Sequence, residues 1–265
     1  MSVLEQAHGL VEALKGEMTP KFLATRSLDG TPNVVPVISI LPAEDSPDTL
    51  FFGNFLLRKS IRNLEQDKRV GVLVMTQQLK GWILQADFQE FQRTGTYVDQ
   101  QMKSSLLRYN AYTGIRNAGV MHVRSLRGAF QIPKLMVLKD YLLARLAGIG
   151  GTTADHDGTN IPLPVQQEFK KMAAAKVLCW IGEDGCPVVV PALSLQPAGP
   201  RSLICWRGTS LPAPPQGAPV AANILTADAV SYQVKGRWAS GGKTGTIQTL
   251  EFYAGGPPIP GGQLA

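Results

Sequence analysis

The chain of 265 residues has little of what most enzymes use for nucleophilic or metal chemistry. Its three histidines, His8, His122 and His156, lie in unrelated segments, and its three cysteines, Cys179, Cys186 and Cys205, form no CxxC pair. No structural zinc spacing and no Ser-His-Asp set can be assembled from these, so hydrolase and zinc chemistry are not expected. An odd cysteine count with apolar or turn neighbours reads as buried free thiols in a reducing, cytoplasmic setting. No uncharged apolar run approaches about 18 residues, and no basic stretch leading into an apolar core follows Met1. Neither a membrane span nor a signal peptide is therefore expected. Charge is sparse as well: 17% of residues are charged, the net charge is +6, and no block of five or six like charges occurs. The cationic excess favours anionic ligands, but its even spread leaves no footprint for nucleic acid. Nucleic acid and membrane are both excluded as expected partners.

What is present is apolar patterning. Hydrophobic residues make up 44% of the chain, enough for a sizeable core in each half. Leu4 to Leu14 carries apolar residues at helical spacing, with Gly16 as a stop. In "KFLATRSLDGTPNVVPVISIL" a strand, a turn with Asp29-Gly30 at its tip and a returning strand follow one another. "KVLCWIGEDGCPVVVPALSL" repeats the design. Asp29, Gly30, Pro32, Val35, Pro36 and Ser39 recur as Asp184, Gly185, Pro187, Val190, Pro191 and Ser194, all at an offset of 155 residues. Helical segments precede both hairpins, and "RSLICWRG" echoes "DTLFFGN". The reading is an internal duplication of a mostly antiparallel β unit. The fold class expected is mainly β with flanking helices, in two tandem units: residues 1–133, then a helical segment with a Gly-rich linker over 134–160, then 161–265. His156 between Asp155 and Asp157 falls in that linker and reads as solvated rather than as a metal ligand.

One stretch carries a chemical signal. After the strand-like "TLFFG", the spacing of Leu57, Ile61 and Leu64 predicts a short amphipathic helix ahead of a buried strand, "RVGVLVM". Arg58, Lys59 and Ser60 then fall in its first turn. Cations there oppose the helix dipole by a few tenths to about 1 kcal/mol each, so folding alone would favour Asp or Glu. A bound phosphate reverses the sign, because free N–H groups, a guanidinium, an ammonium and a hydroxyl would converge on one dianion.

From Glu17 to Ile132 these motifs, with "KGWILQADFQEF" and the late "YVDQQMKSSLLRYN…GVMHVRSLRGAFQI", resemble the FMN-binding split β-barrel proteins of the pyridoxamine 5′-phosphate oxidase-like class. The resemblance implies FMN as cofactor and an oxidoreductase or electron-transfer role, with NAD(P)H or a redox protein as partner. It makes Arg58, Lys59 and Ser60 the phosphate clamp, with Asn63 on the next turn. It runs Val35, Pro36, Val37, Ile38 and Ser39 along the isoalloxazine edge, puts Asn54 and Phe55 near the pocket, and brings Gly81 and Trp82 toward the ring. Trp82 reads equally as a core tryptophan. Gln85-Ala86 departs from the family's basic residue followed by glycine, and the arginines of the vitamin enzyme are missing, so that activity is not implied.

In the second half "SYQVKGRW" keeps a lysine-glycine strand, but "TSLPAPPQGAP" replaces the basic helix and its prolines rule out a regular one. Arg207 alone is a poor clamp, and one working flavin site is expected. Two arrangements stay open: a pseudo-dimer within the chain, or a homodimer with the second half as a flanking module. Two other functions stay open as well. One is a haem-binding split barrel, with His122 as its only plausible axial ligand. The other is a flavin-binding module without turnover. In the flavoprotein reading, Tyr109, Tyr112 and Arg116 follow the late helix and are weak candidates for reaching a flavin from a partner chain.

Overall fold

The computed structural model describes residues 2–55, 57–104, 115–150, 158–207, 212–255 and 263–264. Tyr109, Tyr112, His156 and most of the Pro/Gly-rich tail lie outside them. The first half opens with α1 (Val3–Gln6) and α2 (Leu10–Lys15), followed by β1 (Lys21–Arg26), β2 (Pro32–Pro36), β3 (Leu41–Pro42) and β4 (Thr49–Gly53). Then come α3 (Arg58–Gln66), β5 (Arg69–Met75), β6 (Lys80–Gln92), α4 (Thr96–Lys103) and β7 (Ala118–Gln131). A connecting helix, α5 (Lys134–Gly150), leads to α6 (Leu163–Phe169) and the second set of strands. These are β8 (Ala175–Ile181), β9 (Pro187–Pro191), β10 (Gln196–Pro197), β11 (Ser202–Trp206), β12 (Pro219–Leu225), β13 (Ser231–Gly241) and β14 (Thr244–Ala254). A short β15 (Gln263–Leu264) pairs with β14.

Both sheets are antiparallel. The first has the order β2-β1-β5-β6-β7-β4-β3, and the second β9-β8-β12-β13-β14-β11-β10, the same permutation seven strands later. The likeness reaches single bonds. Gly30 and Gly185 turn the two hairpins with φ of +78° and +72°, a conformation open to glycine. The Asp29 carboxylate accepts from the Thr31 N–H, as Asp184 does from that of Cys186, both at 3.0 Å. A register shift falls between Gln85 and Ala86 in β6 and between Lys235 and Gly236 in β13, the positions that correspond through the register of their neighbours.

Two expectations need correction. The helix read over Leu4 to Leu14 is two short helices, because Gly9 at φ +81° breaks the run; Gly16 does end it. The strand read through "VVPVISI" stops at Pro36. Beyond it the chain turns, with the Ile40 N–H donating to the Val37 carbonyl, and Ser39 spends its hydroxyl on Gly53 of β4 instead of its backbone on a ladder.

The two sheets share a core. Phe22, Val34, Leu73 and Ile83 of the first pack in one cluster with Val177, Leu178, Trp180, Val189 and Trp238 of the second. A separate cluster under α1 and α2 gathers Leu10, Leu14, Leu23, Phe52, Trp82 and Leu84. The backbones approach closely where Gly71 of β5 faces Pro187 of β9: a Cβ there would stand 2.5 Å from the Pro187 carbonyl oxygen. Among the described residues no helix is long and apolar enough to cross a membrane, and all three cysteines are free and buried.

Candidate functional site

A groove of about 330 Å³ opens between the sheets, in the size range of small-molecule sites. One wall is Asn33, the turn from Val35 to Ser39, Gly53, Phe55 and the start of α3; the other is Asn223, Ser231, Gln233 and the end of β14 from Tyr253 to Gly255.

The α3 wall carries cations. The helix has no side-chain cap at Leu57 and no acid in its first turn, so its leading N–H groups lack a side-chain partner there, and Arg58, Lys59 and Ser60 line the groove. Behind them lies a buried polar network. The Asn33 side-chain amide donates to the hydroxyls of Ser60 (3.1 Å) and Thr25 (3.3 Å), and Asn63 donates to Thr25 at 2.9 Å. Those bonds fasten the first two turns of α3 to the β1–β2 hairpin. The "VVPVIS" wall is fixed in the same manner. Lys21 Nζ donates to the Ile38 carbonyl at 2.9 Å, and Gln101 of α4 donates to the Ser39 carbonyl at 2.7 Å.

The second sheet is tied directly to this wall. Asn223 and Gln233 both donate to the Val34 carbonyl, at 3.3 and 2.5 Å. Gln233 is 4% exposed, and its own carbonyl oxygen has no hydrogen-bond partner. The Lys59 ammonium stands 3.8 Å from the centroid of the Tyr253 ring, a cation–π contact across the groove. Beside it lies Lys235, bonded to the Thr31 hydroxyl at 3.3 Å and 7% exposed. Burial pulls the pKa of Lys59 down, with Glu251 pulling it back up. Burial, helped by the charge of Lys59, pushes Lys235 down to about 8. Two ammonium groups thus share one corner, opposed chiefly by Glu251 and Asp29. Tyr253 donates to Glu251 at 2.5 Å, and burial raises its pKa.

The residues singled out in the sequence divide into three groups. Val35, Pro36, Val37, Ile38, Ser39, Phe55, Arg58, Lys59 and Ser60 line the groove together. Asn63 and Asn54 stand behind it: Asn63 holds Thr25, and the Asn54 side chain donates to that of Asn117 at 3.0 Å. Gly81 and Trp82 are elsewhere. Trp82 is 2% exposed in the first core, and a Cβ on Gly81 would collide with the Phe130 ring and the Val74 carbonyl. Their glycine and tryptophan are explained by packing. Arg116 and His122 are exposed, and neither they nor His8 line the groove. The second-sheet wall was not read from the sequence. The nearest signal was the Lys235-Gly236 dipeptide, which lies outside the groove lining, beside Lys59, at the position of Gln85-Ala86.

At the corresponding place in the second half the arrangement differs: a hollow of about 1020 Å³ between the sheets is lined by Ile83, Gln85, Gly128, Asp184 and Ala213, and the space beside Trp206 is small. Ser194 bridges to Trp206 as Ser39 bridges to Gly53, but a tryptophan stands where the glycine was. With Pro212, Ala213 and Pro214 it leaves a cavity of about 50 Å³, and Arg207 is engaged with Ser240 at 2.7 Å. Gln85, in the place of Lys235, donates to Asp184, which also pairs with Arg127.

No protein-family model matches the chain, and no curated protein does. Solved structures similar to it include an FMN-binding protein from Syntrophomonas wolfei, at 14% identity and a TM-score of 0.40, covering 50% of this chain and 88% of that one. Group A Streptococcus HupZ is similar at 18% identity and TM-score 0.36 (47% and 91% covered). HutZ, the haem storage protein of Vibrio cholerae, is similar at 16% and 0.35 (49% and 95% covered). Each spans about half of this chain. By its own strand order, repeated once, the chain is a tandem pair of split β-barrels.

Proposed function

We propose that this protein binds FMN in the groove between its two barrels, as an oxidoreductase or electron-transfer flavoprotein. The observation that carries the reading is the composite cationic corner. One barrel contributes an uncapped helix start with Arg58, Lys59 and Ser60 to the groove lining, and the other sets Lys235 beside Lys59, just outside that lining. A phosphate dianion there offsets both the helix-dipole cost and the repulsion between the two ammonium groups. The turn from Val35 to Ser39 offers backbone groups to a planar ring, and the unpartnered Gln233 carbonyl oxygen fits a ring N–H donor. Phe55, Val37 and Leu57 give the groove an apolar stretch that excludes water.

When bound, FMN supplies one- or two-electron chemistry, while the chain supplies the pocket, its orientation and its electrostatics. Asn33 and Asn63 hold Ser60 and the helix start in place; Tyr253 keeps Lys59 at the rim. The same reasoning assigns the site to residues 1–133 and 161–265 acting together, joined by 134–160, with the halves arising by duplication. The absence, among the described residues, of a cationic helix start between β11 and β12, where Arg207 is engaged with Ser240, supports one flavin per chain.

An absorption spectrum of the purified protein, with FMN titration and a count of flavin released per chain, tests this. Flavin bands with about one FMN per chain are expected. A Soret band instead would point to haem, for which neither His8 nor His122 lies at the groove. Reduction of the bound flavin by NAD(P)H separates an oxidoreductase from a module that only holds it.

A further inference from the structure

Helix α5 connects the two barrels, and one side of it is covered by them. Tyr141 and Ala144 are buried, Tyr141 donates to the Lys170 carbonyl at 2.6 Å, and a Cβ on Gly148 would lie 3.2 Å from Ala198. The other side is apolar yet uncovered. Leu135, Leu138, Leu142, Leu146 and Ile149 are 81, 41, 49, 66 and 78% exposed. Their spacing of three, four, four and three residues puts them on one stripe, roughly 80° wide and about 21 Å long. Scattered exposed leucines are ordinary on a protein surface; five in a row on one helix are not.

The charges around the stripe indicate what covers it. Lys134 and Arg145 border one edge, Lys139 borders the other, and all three are exposed. Asp140, the only acid of the helix, is 7% exposed and lies outside this surface. A second copy fits poorly: antiparallel pairing centred on Leu142 would set Lys139 of one copy against Arg145 of the other, twice, with no acid between. An acyl–headgroup boundary fits well, since the leucines enter the acyl region while long cationic side chains reach back to lipid phosphates. The apolar surface also continues past the helix. Leu138 shares the lining of a separate cavity of about 530 Å³ with Met18 and Met172, themselves 67 and 42% exposed.

From this arrangement we infer that α5 docks the protein on an anionic phospholipid surface, lying in the interface without crossing it. This departs from the expectation that the chain has no membrane partner. The inference is independent of the flavin reading, because α5 takes no part in the groove.

Co-sedimentation of the full chain with vesicles of phosphatidylcholine, with and without phosphatidylglycerol, tests it. Binding is expected only where phosphatidylglycerol is present, and it falls as salt rises. K139Q with R145Q lowers partition about 25-fold, at roughly fivefold per cation. L142S with L146S abolishes it; unchanged circular dichroism and melting confirm that each variant is folded. Three results overturn the inference: no binding by the folded protein at low salt, equal binding by L142S/L146S, or a solution dimer that L142S/L146S dissociates while vesicles bind nothing.

Discussion

Burying an ammonium group strips its hydration, and the cost shows as a lowered pKa. Lys176 is fully buried, its Nζ has no hydrogen-bond partner, and burial pushes it down to about 7. Its counterpart Lys21, 155 residues earlier, donates to the Ile38 carbonyl and falls only to about 8. In the unfolded chain Lys176 stays protonated up to about 10.5, the ordinary lysine range. Between pH 7 and 10.5 the folded form therefore holds fewer protons than the unfolded one, so this group makes stability rise with pH there. Below pH 7 the cost is present in full. Lys176→Met should stabilise the fold by roughly 3–5 kcal/mol at pH 6, and the gain should shrink toward pH 10. Urea unfolding at both pH values measures this; a gain independent of pH would mean that packing, not charge, is responsible. Lys235 titrates for a different purpose. With its pKa at about 8, FMN binding above that pH must take up a proton, so affinity should fall up to about tenfold per pH unit from 8 to 10. Titrations with Lys235→Met should lose that slope, and a slope that survives would remove Lys235 from the anion site.

Helix α3 is arranged against its own stability. An uncapped start with Arg58 and Lys59 in the first turn opposes the dipole, at about 0.3–1 kcal/mol per cation, and Lys59 recovers part of this on Tyr253. Arg58 is exposed, so Arg58→Ala should leave the flavin-free protein equally or slightly more stable. The same substitution should weaken FMN binding by about 1.5–3 kcal/mol, the worth of a charge-assisted contact. Melting with and without FMN reads both effects, and a loss of stability without ligand would show Arg58 to be structural. The element was legible because its cause is local: apolar spacing gave the helix, and the strands before and after it bounded it. Gly81 and Trp82 were misplaced for the complementary reason. Residue type and order identify a strand, but whether β6 reaches the groove depends on its pairing with β5 and β7 and on its bulges. The early end of β2 was hidden similarly, since the Ser39–Gly53 bonds that replace its ladder join residues 14 apart.

Across the whole molecule, each barrel lacks what the other keeps. The first has the cationic helix start but Gln85-Ala86, and the second has Lys235-Gly236 but a proline segment in place of the helix. The repeat could be read from the 155-residue echo. That the retained parts meet at one groove could not, because Lys59 and Tyr253 are brought together by sheet packing across nearly 200 residues of chain. Arg207→Ala should accordingly leave flavin content unchanged, whereas Lys59→Ala with Lys235→Ala should empty the site, as flavin fluorescence released from each variant would show. On the proposed reading both walls of the groove belong to one chain, so the site should need no subunit partner. Its affinity for FMN should be the same at nanomolar and at micromolar protein, whereas a site shared between separate chains would vanish on dilution by mass action.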